Sequence, residues 1–166
     1  ADAMSNRAVS EAQLGQDIWR LIAPDLGANN VVITLNGGGS SKAGFEISFT
    51  GADQTQAGIA TAVGASSASA TSSSQSLTTN FNNSIVLDAI IKANNNALTE
   101  GEGTEANDFT CLTTRRMGAH YIQKVTAGAQ TMSWSWTGAT SFDHIIVEVK
   151  EGAAAAAANH WLLMGV

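Results

Sequence analysis

The chain has 166 residues, with 8 Lys or Arg against 14 Asp or Glu, which gives a formal charge of −6. This length suits one compact domain, and a charged fraction of 13%, against about 25% in ordinary soluble proteins, predicts a neutral, hydroxyl-rich surface. So few scattered cations cannot neutralise a row of phosphates, which disfavours nucleic acid as a partner.

Cysteine usage and hydropathy exclude several further classes. Cys111 is the single cysteine, so the chain cannot form an intrachain disulfide framework, and we expect this residue to be a small core side chain. No Cys/His cluster has the spacing of a zinc site. No apolar run approaches the roughly 20 residues that span a bilayer. The sequence therefore predicts no metal, no cofactor and no membrane insertion.

The first third of the chain predicts short strands separated by turns. Residues 1–14 show no firm period and are expected to form a loose segment or a short strand. Residues 15–23 alternate, with Ile18 and Arg20 on one face and Trp19 on the other. Further strands are predicted at 31–35 and at 44–50, where Phe, Ile and Phe alternate with polar residues.

The middle of the chain contains one strongly apolar segment among polar ones. We predict a short strand at 58–63 and, within the small-polar stretch 64–76, an extended surface strand with loops rather than an interdomain linker. Residues 84–91 predict a central strand in which a buried Asp88 needs a partner. Residues 93–108 are expected to form a polar loop, whose carboxylates are more typical of a solvated loop than of a calcium site.

The last third contains the clearest alternation. Strands are predicted at 109–113 and 115–126, the second bordering the surface. Residues 130–150 alternate on both sides of a break at 137–141 and predict a β-hairpin. Residues 151–158 form an Ala-rich spacer or helical turn, and 160–166 an apolar, strand-like end.

Together these elements predict an all-β protein. Strands spaced by turns rich in Gly, Asn and Ser, without an amphipathic helix of normal length, favour an antiparallel β-sandwich or a barrel. We assign residues 1–150 to the sandwich domain. Residues 151–166 are assigned to a short Ala-rich C-terminal segment with an apolar tail.

Several ordered segments resemble a known group. The stretches IWRLIAPDLGANNVVITL, GFEISFTGADQT, QTMSWSWTG and FDHIIVEVK, within residues 16–150, are similar to a jelly-roll-type β-sandwich module that recurs in phage structural proteins and bacterial secreted proteins. The resemblance implies a jelly-roll-like fold, and it brings no activity that could be assigned to single residues. In that group one or two apolar strands precede the segment that matches Met4, and here they are absent. We therefore hypothesise that the tail supplies a strand, to its own sheet or to a neighbouring subunit.

Candidate catalytic residues do not form a recognisable motif. His120, His144 and His160 are not paired in any metal-binding or catalytic spacing, and each is expected at a surface or an interface. Serines are abundant, but the GxSxG pattern is missing. The sequence therefore predicts no enzyme.

Trp134 and Trp136 share one strand face. They could form a platform for glycan rings, but together with Met132 they continue an apolar stripe and are expected in the core. The predicted assembly interface lies at the chain's unmatched ends and consists of Trp19, Trp161, Leu162, Leu163 and Met164.

The leading functional hypothesis is a non-enzymatic phage virion protein that self-assembles. It would decorate a capsid or belong to a fibre or tail, as a homo-oligomer in contact with other virion proteins, at the virion surface or in an extracellular setting. The alternative is a secreted bacterial adhesion or carbohydrate-binding module that contacts a host-surface glycan.

Overall fold

The computed structural model describes residues 5–10, 14–21, 44–111, 114–152 and 159–165. These residues contain no helix and ten antiparallel strands, so the predicted all-β class is confirmed. The strands are β1 (Ser5–Ser10), β2 (Gln16–Leu21), β3 (Gly44–Thr50), β4 (Thr61–Thr78), β5 (Ser84–Lys92), β6 (Leu98–Glu100), β7 (Thr104–Cys111), β8 (Arg115–Lys124), β9 (Ala129–Val149) and β10 (Asn159–Gly165). No helix in this part of the chain has the length and hydropathy to cross a membrane.

The strands form two sheets. The smaller has the order β1-β2-β10-β3, and the larger has the order β4-β9-β5-β8-β7 with β6 paired to β9. Ile18 and Phe49 of the smaller sheet pack against Leu87, Ala89 and other apolar residues of the larger one. One face of β5 is therefore buried between the two sheets.

The opposite face of β5 is buried as well, because the β4/β9 ribbon bends back over it. Near Gly138 the ribbon turns, so that Trp134 and Met132, from the first half of β9, pack with Ile90, Val86 and Ile146 of the central strands. Strands buried on both faces read as continuous apolar runs rather than alternating ones. This explains the sequence of β5, whose last seven residues are all buried.

Two predicted elements differ from the structure in the C-terminal half. Residues 130–150 are one continuous strand rather than a hairpin, because both halves of β9 pair with the 18-residue β4 and not with each other. The polar stretch 93–108 is not a single loop, since it contains β6 and the start of β7. The predicted strand 115–126 is present as β8, between β5 and β7. Its middle is buried, but its end borders the surface as predicted, since Gln123 is exposed.

Other predictions agree with the structure or fall outside it. Strand 44–50 and the central strand 84–91 are present, and residues 64–76 belong to β4 rather than to a linker. On β2, Ile18 and Arg20 are buried while Trp19 is exposed, as the alternation predicted. The predicted strand 31–35 and the Ala run 153–158 lie outside the described residues.

The C-terminal strand lies in the interior of the smaller sheet. Residues Trp161 to Gly165 pair with β2, and residues Asn159 to Gly165 pair with β3. Of the two destinations proposed for the tail, the structure shows pairing with the chain's own sheet.

Candidate functional site

The chemically richest cluster lies in the core between the central strands and the folded-back ribbon. Asp88 of β5, His120 of β8 and His144 of β9 are all fully buried. The strand pairing aligns them in one row. On β8 the residue opposite Asp88 is His120. On β9 the residue opposite Asp88 is Ile146, which lies two positions after His144. Because period-two alternation puts residues 144 and 146 on one face, three strands direct these side chains to a single point.

The Asp88 carboxylate accepts contacts from several donors. Its Oδ2 accepts from His144 Nε2 at 2.7 Å and from Trp134 Nε1 at 2.8 Å. Its Oδ1 accepts from the backbone N–H of His120 at 3.1 Å and lies 2.7 Å from Nδ1 of the same residue. That ring contact is close but bent, so it is electrostatic rather than a well-formed hydrogen bond. The partner that the sequence required for Asp88 is therefore a set of N–H groups.

The charge of Asp88 follows from this environment. Burial on its own would raise the pKa of the carboxyl, but the contacts with His120 and then His144 outweigh burial and hold the pKa below its usual range. The carboxylate is therefore ionised inside the core. Nε2 of His144, which is hydrogen-bonded to this carboxylate, must therefore carry a proton.

The two histidines differ in what their second ring nitrogen meets. Nδ1 of His144 lies 2.8 Å from the hydroxyl oxygen of Ser73 on β4. Nε2 of His120 is buried and has no hydrogen-bond partner within the part of the chain that the structure describes. The His120 ring stands edge-on to Trp134, with 4.7 Å between the ring centroids. The expectation that His120 and His144 lie at a surface is wrong, because both faces of the central strands are covered.

Ser73, His144 and Asp88 form a hydroxyl, imidazole and carboxylate in series, which is the order of groups in a nucleophilic triad. Acyl transfer also needs a substrate carbonyl next to the hydroxyl and N–H donors for the developing oxyanion. Ser73 is only 5% exposed, and the other two side chains are at 0%. In this conformation a substrate cannot reach the hydroxyl, and the series acts as a hydrogen-bond network within the core.

A second buried carboxylate, Glu148, lies further along β9 on the same face. Its oxygens accept backbone N–H groups from Ala60, Asn80 and Phe81, at 3.0 to 3.1 Å. These donors belong to the segments on either side of β4, so the side chain ties both ends of that strand to β9. Glu148 therefore holds the start and the end of the ribbon in place.

The turn that carries part of the family resemblance has a clear local cause. Asp53 Oδ1 accepts from the backbone N–H groups of Thr55 and Gln56 and from the Thr55 hydroxyl, which is an Asx-type turn. The side-chain amide of Gln56 then donates to the carbonyl of Lys150 and accepts from its N–H, both at 2.8 Å. The turn formed by Asp53 and Thr55 therefore positions the following residue, Gln56, which fastens the end of β9.

The residues predicted for binding or assembly lie in two different places. Trp134 and Trp136 are 1% and 6% exposed, so in this fold neither ring face is open to a glycan. Trp19 is 36% exposed, and the ladder sets it opposite Leu163 of β10 and Asn6 of β1. The side chains of the other predicted interface residues, Trp161, Leu162, Leu163 and Met164, are outside the described part, although their backbone pairs with β2 and β3.

The described residues do not contain a candidate metal-binding site. No group of three or more His, Cys, Asp or Glu side chains among them is arranged to hold a metal ion. The Asp88 network could not be predicted from local sequence patterns, since its members are far apart in the chain. The one available signal was the carboxylate inside an apolar strand.

Comparison with known proteins adds no further identification. No family model matches the chain, and neither the curated proteins nor the solved structures that were searched gave a match.

Proposed function

We propose that this protein is a non-enzymatic structural subunit of a phage particle, a capsid-decorating, fibre or tail-associated protein that acts by self-assembly at the virion surface. The phage assignment rests on the resemblance of residues 16–150 to the jelly-roll-type module. The self-assembly part rests on the surface of the fold.

The observation that carries self-assembly is the long edge strand β4. Among the described residues it ends the six-stranded sheet, and it spans 18 residues without an Asp, Glu, Lys, Arg or Pro. Soluble proteins usually protect such edges with charges, proline or short strands, because an open edge is a template for another chain. The exposed side chains of its second half are Ser and Thr at positions 71, 72, 74, 76 and 78. A long, uncharged edge is suited to pairing with a second copy.

The outer surface of the smaller sheet is the second candidate contact. Trp19 is flanked by strands on both sides and is one of two large apolar side chains that are exposed among the described residues, with Val125. Aromatic side chains at such positions are typical anchors of protein interfaces. A virion subunit that forms a homo-oligomer also contacts other virion proteins, so it needs two contact surfaces. The β4 edge would serve one of these contacts and the surface around Trp19 the other.

The test is the solution mass of the chain by light scattering, with electron microscopy of the same sample. We expect a defined oligomer or an ordered polymer for the natural sequence. Ser74→Lys, which places a charge on the β4 edge, and Trp19→Glu should each reduce the mass. Val125→Glu is the matched control, since it changes the more exposed apolar residue, at 66%, in a turn outside both surfaces.

A clean monomer for the natural sequence at all concentrations would overturn self-assembly. It would direct attention to the alternative of a secreted adhesion or carbohydrate-binding module, tested by a glycan screen. An oligomer that loses mass equally with all three substitutions would show that neither surface is the specific contact.

A further inference from the structure

The edge strands of the two described sheets differ in charge. In the smaller sheet, β1 contains Arg7 and β3 contains Glu46. In the larger sheet, β7 contains Glu105 and Asp108. Charged side chains on an edge strand disfavour the addition of another strand. Among the edges that the structure describes, β4 alone has no charged residue, so it is the edge best suited to accept a further strand.

The regular part of the β4 edge is its second half. β4 doubles back on itself, since a Cβ at Gly64 would overlap the side-chain amide of Gln75. Between these positions the pairing with β9 shifts twice, whereas from Ser72 to Thr78 it continues without interruption. In an antiparallel ladder the backbone groups of alternate residues point to opposite sides of the strand. Half of the backbone N–H and C=O groups of the segment 72–78 therefore point away from β9.

The segment 72–78 is complementary to a second copy of itself. Its exposed side chains are Ser72, Ser74, Ser76 and Thr78. Directly opposite residues of an antiparallel pair share a face. A two-fold axis at Gln75 sets Ser74 opposite Ser76 of the second copy and Ser72 opposite Thr78 of that copy. This register uses the whole segment, and each exposed hydroxyl meets another exposed hydroxyl.

Hydroxyl pairs of this kind already occur within the molecule. Ser76 Oγ lies 2.6 Å from Thr131 Oγ1 on the neighbouring strand β9. A hydroxyl both donates and accepts, so a row of hydroxyls can be extended by another row without an unpaired charge. Each copy has a formal charge of −6, and like net charge opposes association. A contact along the uncharged edge adds the least to that repulsion.

We propose that the β4 edge pairs with the β4 edge of a second copy, antiparallel and centred on Gln75, so that the two larger sheets join across a two-fold axis. This inference rests on the proposed function, because it specifies how the self-assembling subunit contacts another copy. A two-fold contact uses the same surface of both subunits and closes at a dimer. The surface around Trp19 is then left for contacts with other virion proteins.

The first test is charge placement on the edge, measured as solution mass by light scattering. A Trp19→Glu background removes the second proposed contact, so that the mass reports on β4. We expect this background to be a dimer. Adding Ser74→Lys should raise the dissociation constant by about tenfold or more, because a charge on an edge strand disfavours pairing and the two lysines approach each other across the axis.

A second substitution in the same chain tests the register. Ser74→Lys with Ser76→Glu should restore the dimer, since each introduced lysine lies opposite the introduced glutamate of the other copy. Ser74→Lys with Ser72→Glu is the matched control. It has the same charges at the same spacing along the strand, on exposed positions, but position 72 is opposite position 78 of the other copy. This variant should stay dissociated.

The second test needs no substitution on the edge. Hydrogen exchange of the Trp19→Glu protein is measured at a concentration where it is a dimer and after dilution. The amides of the segment 72–78 that point away from β9 should be protected in the dimer and should exchange rapidly on dilution. The amides that point toward β9 should be protected at both concentrations.

Three results would overturn the two-fold pairing. Protection of the outward amides that does not change on dilution would show that the chain covers its own edge. A larger mass after Ser74→Lys would indicate pairing of β4 with the carboxylate-containing edge β7, and equal masses for the two double variants would contradict the register. With any of these, an oligomer of the natural sequence still supports self-assembly. A natural sequence that stays monomeric at all concentrations overturns self-assembly as well.

Discussion

At the scale of single residues, the fully buried carboxylates Asp88, Asp143 and Glu148 are held by N–H groups rather than by Lys or Arg counterions. Asp88 is held by His144, Trp134 and the His120 backbone. Asp143, also fully buried, accepts the backbone N–H groups of Leu14 and Gly15 at 2.6 and 2.9 Å. Since few Lys or Arg side chains are present, donors from the backbone and from aromatic rings take their place. Each such carboxylate joins segments that are distant in the chain.

Replacing Asp88 tests this at its most demanding site. Asp88→Ala removes the acceptor of two ring N–H groups and one backbone N–H group in the core, and breaking such a buried charge network costs about 3–5 kcal/mol. Asp143→Ala is the comparison, because it frees only two backbone N–H groups and is expected to cost about 1–3 kcal/mol. Urea unfolding of both variants measures the free energies. A smaller loss for Asp88→Ala than for Asp143→Ala would contradict the network's role.

The lowered pKa of Asp53 predicts how the free energy of unfolding changes at acidic pH. Hydrogen bonds, first that from the Thr55 side chain and then those from the Gln56 and Thr55 backbone, lower the pKa of this carboxyl well below its usual range despite an opposing effect of burial. Because the folded pKa is lower than the unfolded one, the stabilisation is present above the unfolded pKa of about 4. It is lost as pH falls below that value toward the folded pKa.

Asp53→Asn removes the ionisable group and retains a side chain that can cap the turn. We expect the free energy of unfolding to fall less steeply below about pH 4 in this variant than in the natural sequence. Urea midpoints measured at a series of acidic pH values provide the comparison. Parallel profiles for the two proteins would show that the Asp53 turn does not contribute to acid sensitivity.

At the scale of strands, period-two alternation identifies residues that share a face, but it does not show what covers that face. Alternation correctly placed Trp19 opposite to Ile18, and the apolar run 84–91 correctly indicated a central strand. It also predicted that His144 faces outward, because it alternates with Ile145. The folded-back ribbon covers that side. This contact depends on Asp88, which precedes Trp134 by 46 positions and His144 by 56 positions. A local pattern cannot contain it.

The predicted hairpin at 130–150 failed for a related reason. A Gly-containing break between two alternating segments is compatible with a reversal or with a bend in one strand, and only the partner strand decides between them. Here β4 is long enough to pair with both halves of β9. The break therefore became the bend at Gly138, which has φ of +76°.

The bend can be tested by adding a methyl group. Gly138 has a left-handed φ, and a Cβ there would lie 2.9 Å from the Asn96 side chain, which donates to the carbonyl of Thr137. Gly51 has the same φ of +76° and no atom within 4 Å of its Cβ position. Gly51→Ala should cost about 1–2 kcal/mol from backbone strain alone, and Gly138→Ala should cost more. Equal losses in thermal or urea unfolding would show that the Asn96 contact does not support the bend.

At the scale of the whole molecule, the fold has three layers with two different cores. The core between the two sheets is apolar, with Ile18 and Phe49 packed on Leu87 and Val147. The core under the ribbon contains the Asp88 network beside Trp134 and Trp136. An apolar core tolerates many arrangements, whereas hydrogen bonds between buried polar side chains on different strands form in only one register. We infer that the network fixes how the ribbon folds over the central strands, while the apolar core supplies much of the stability.

This division predicts that the layers lose structure separately. In the described sheet β3 pairs only with β10, so deletion of residues 159–166 should leave β3 without a ladder and open the inner edge of β2. The central strands β5, β8 and β9 keep all their strand partners. Hydrogen exchange should therefore show amide protection lost in β2 and β3 and retained in β5 and β8.

The same truncation distinguishes a strand that completes its own sheet from one that serves only contacts between copies. If β10 completes its own sheet, protection in β2 and β3 falls at every protein concentration, because the lost partner is part of the same chain. Adding a synthetic peptide of residues 159–166 should then restore protection, since the vacated position between β2 and β3 accepts a strand by main-chain pairing. Unchanged protection in the truncated chain would contradict the pairing of β10 with its own sheet. Restoration only at concentrations where the truncated chain oligomerises would indicate that neighbouring copies supply the missing strand.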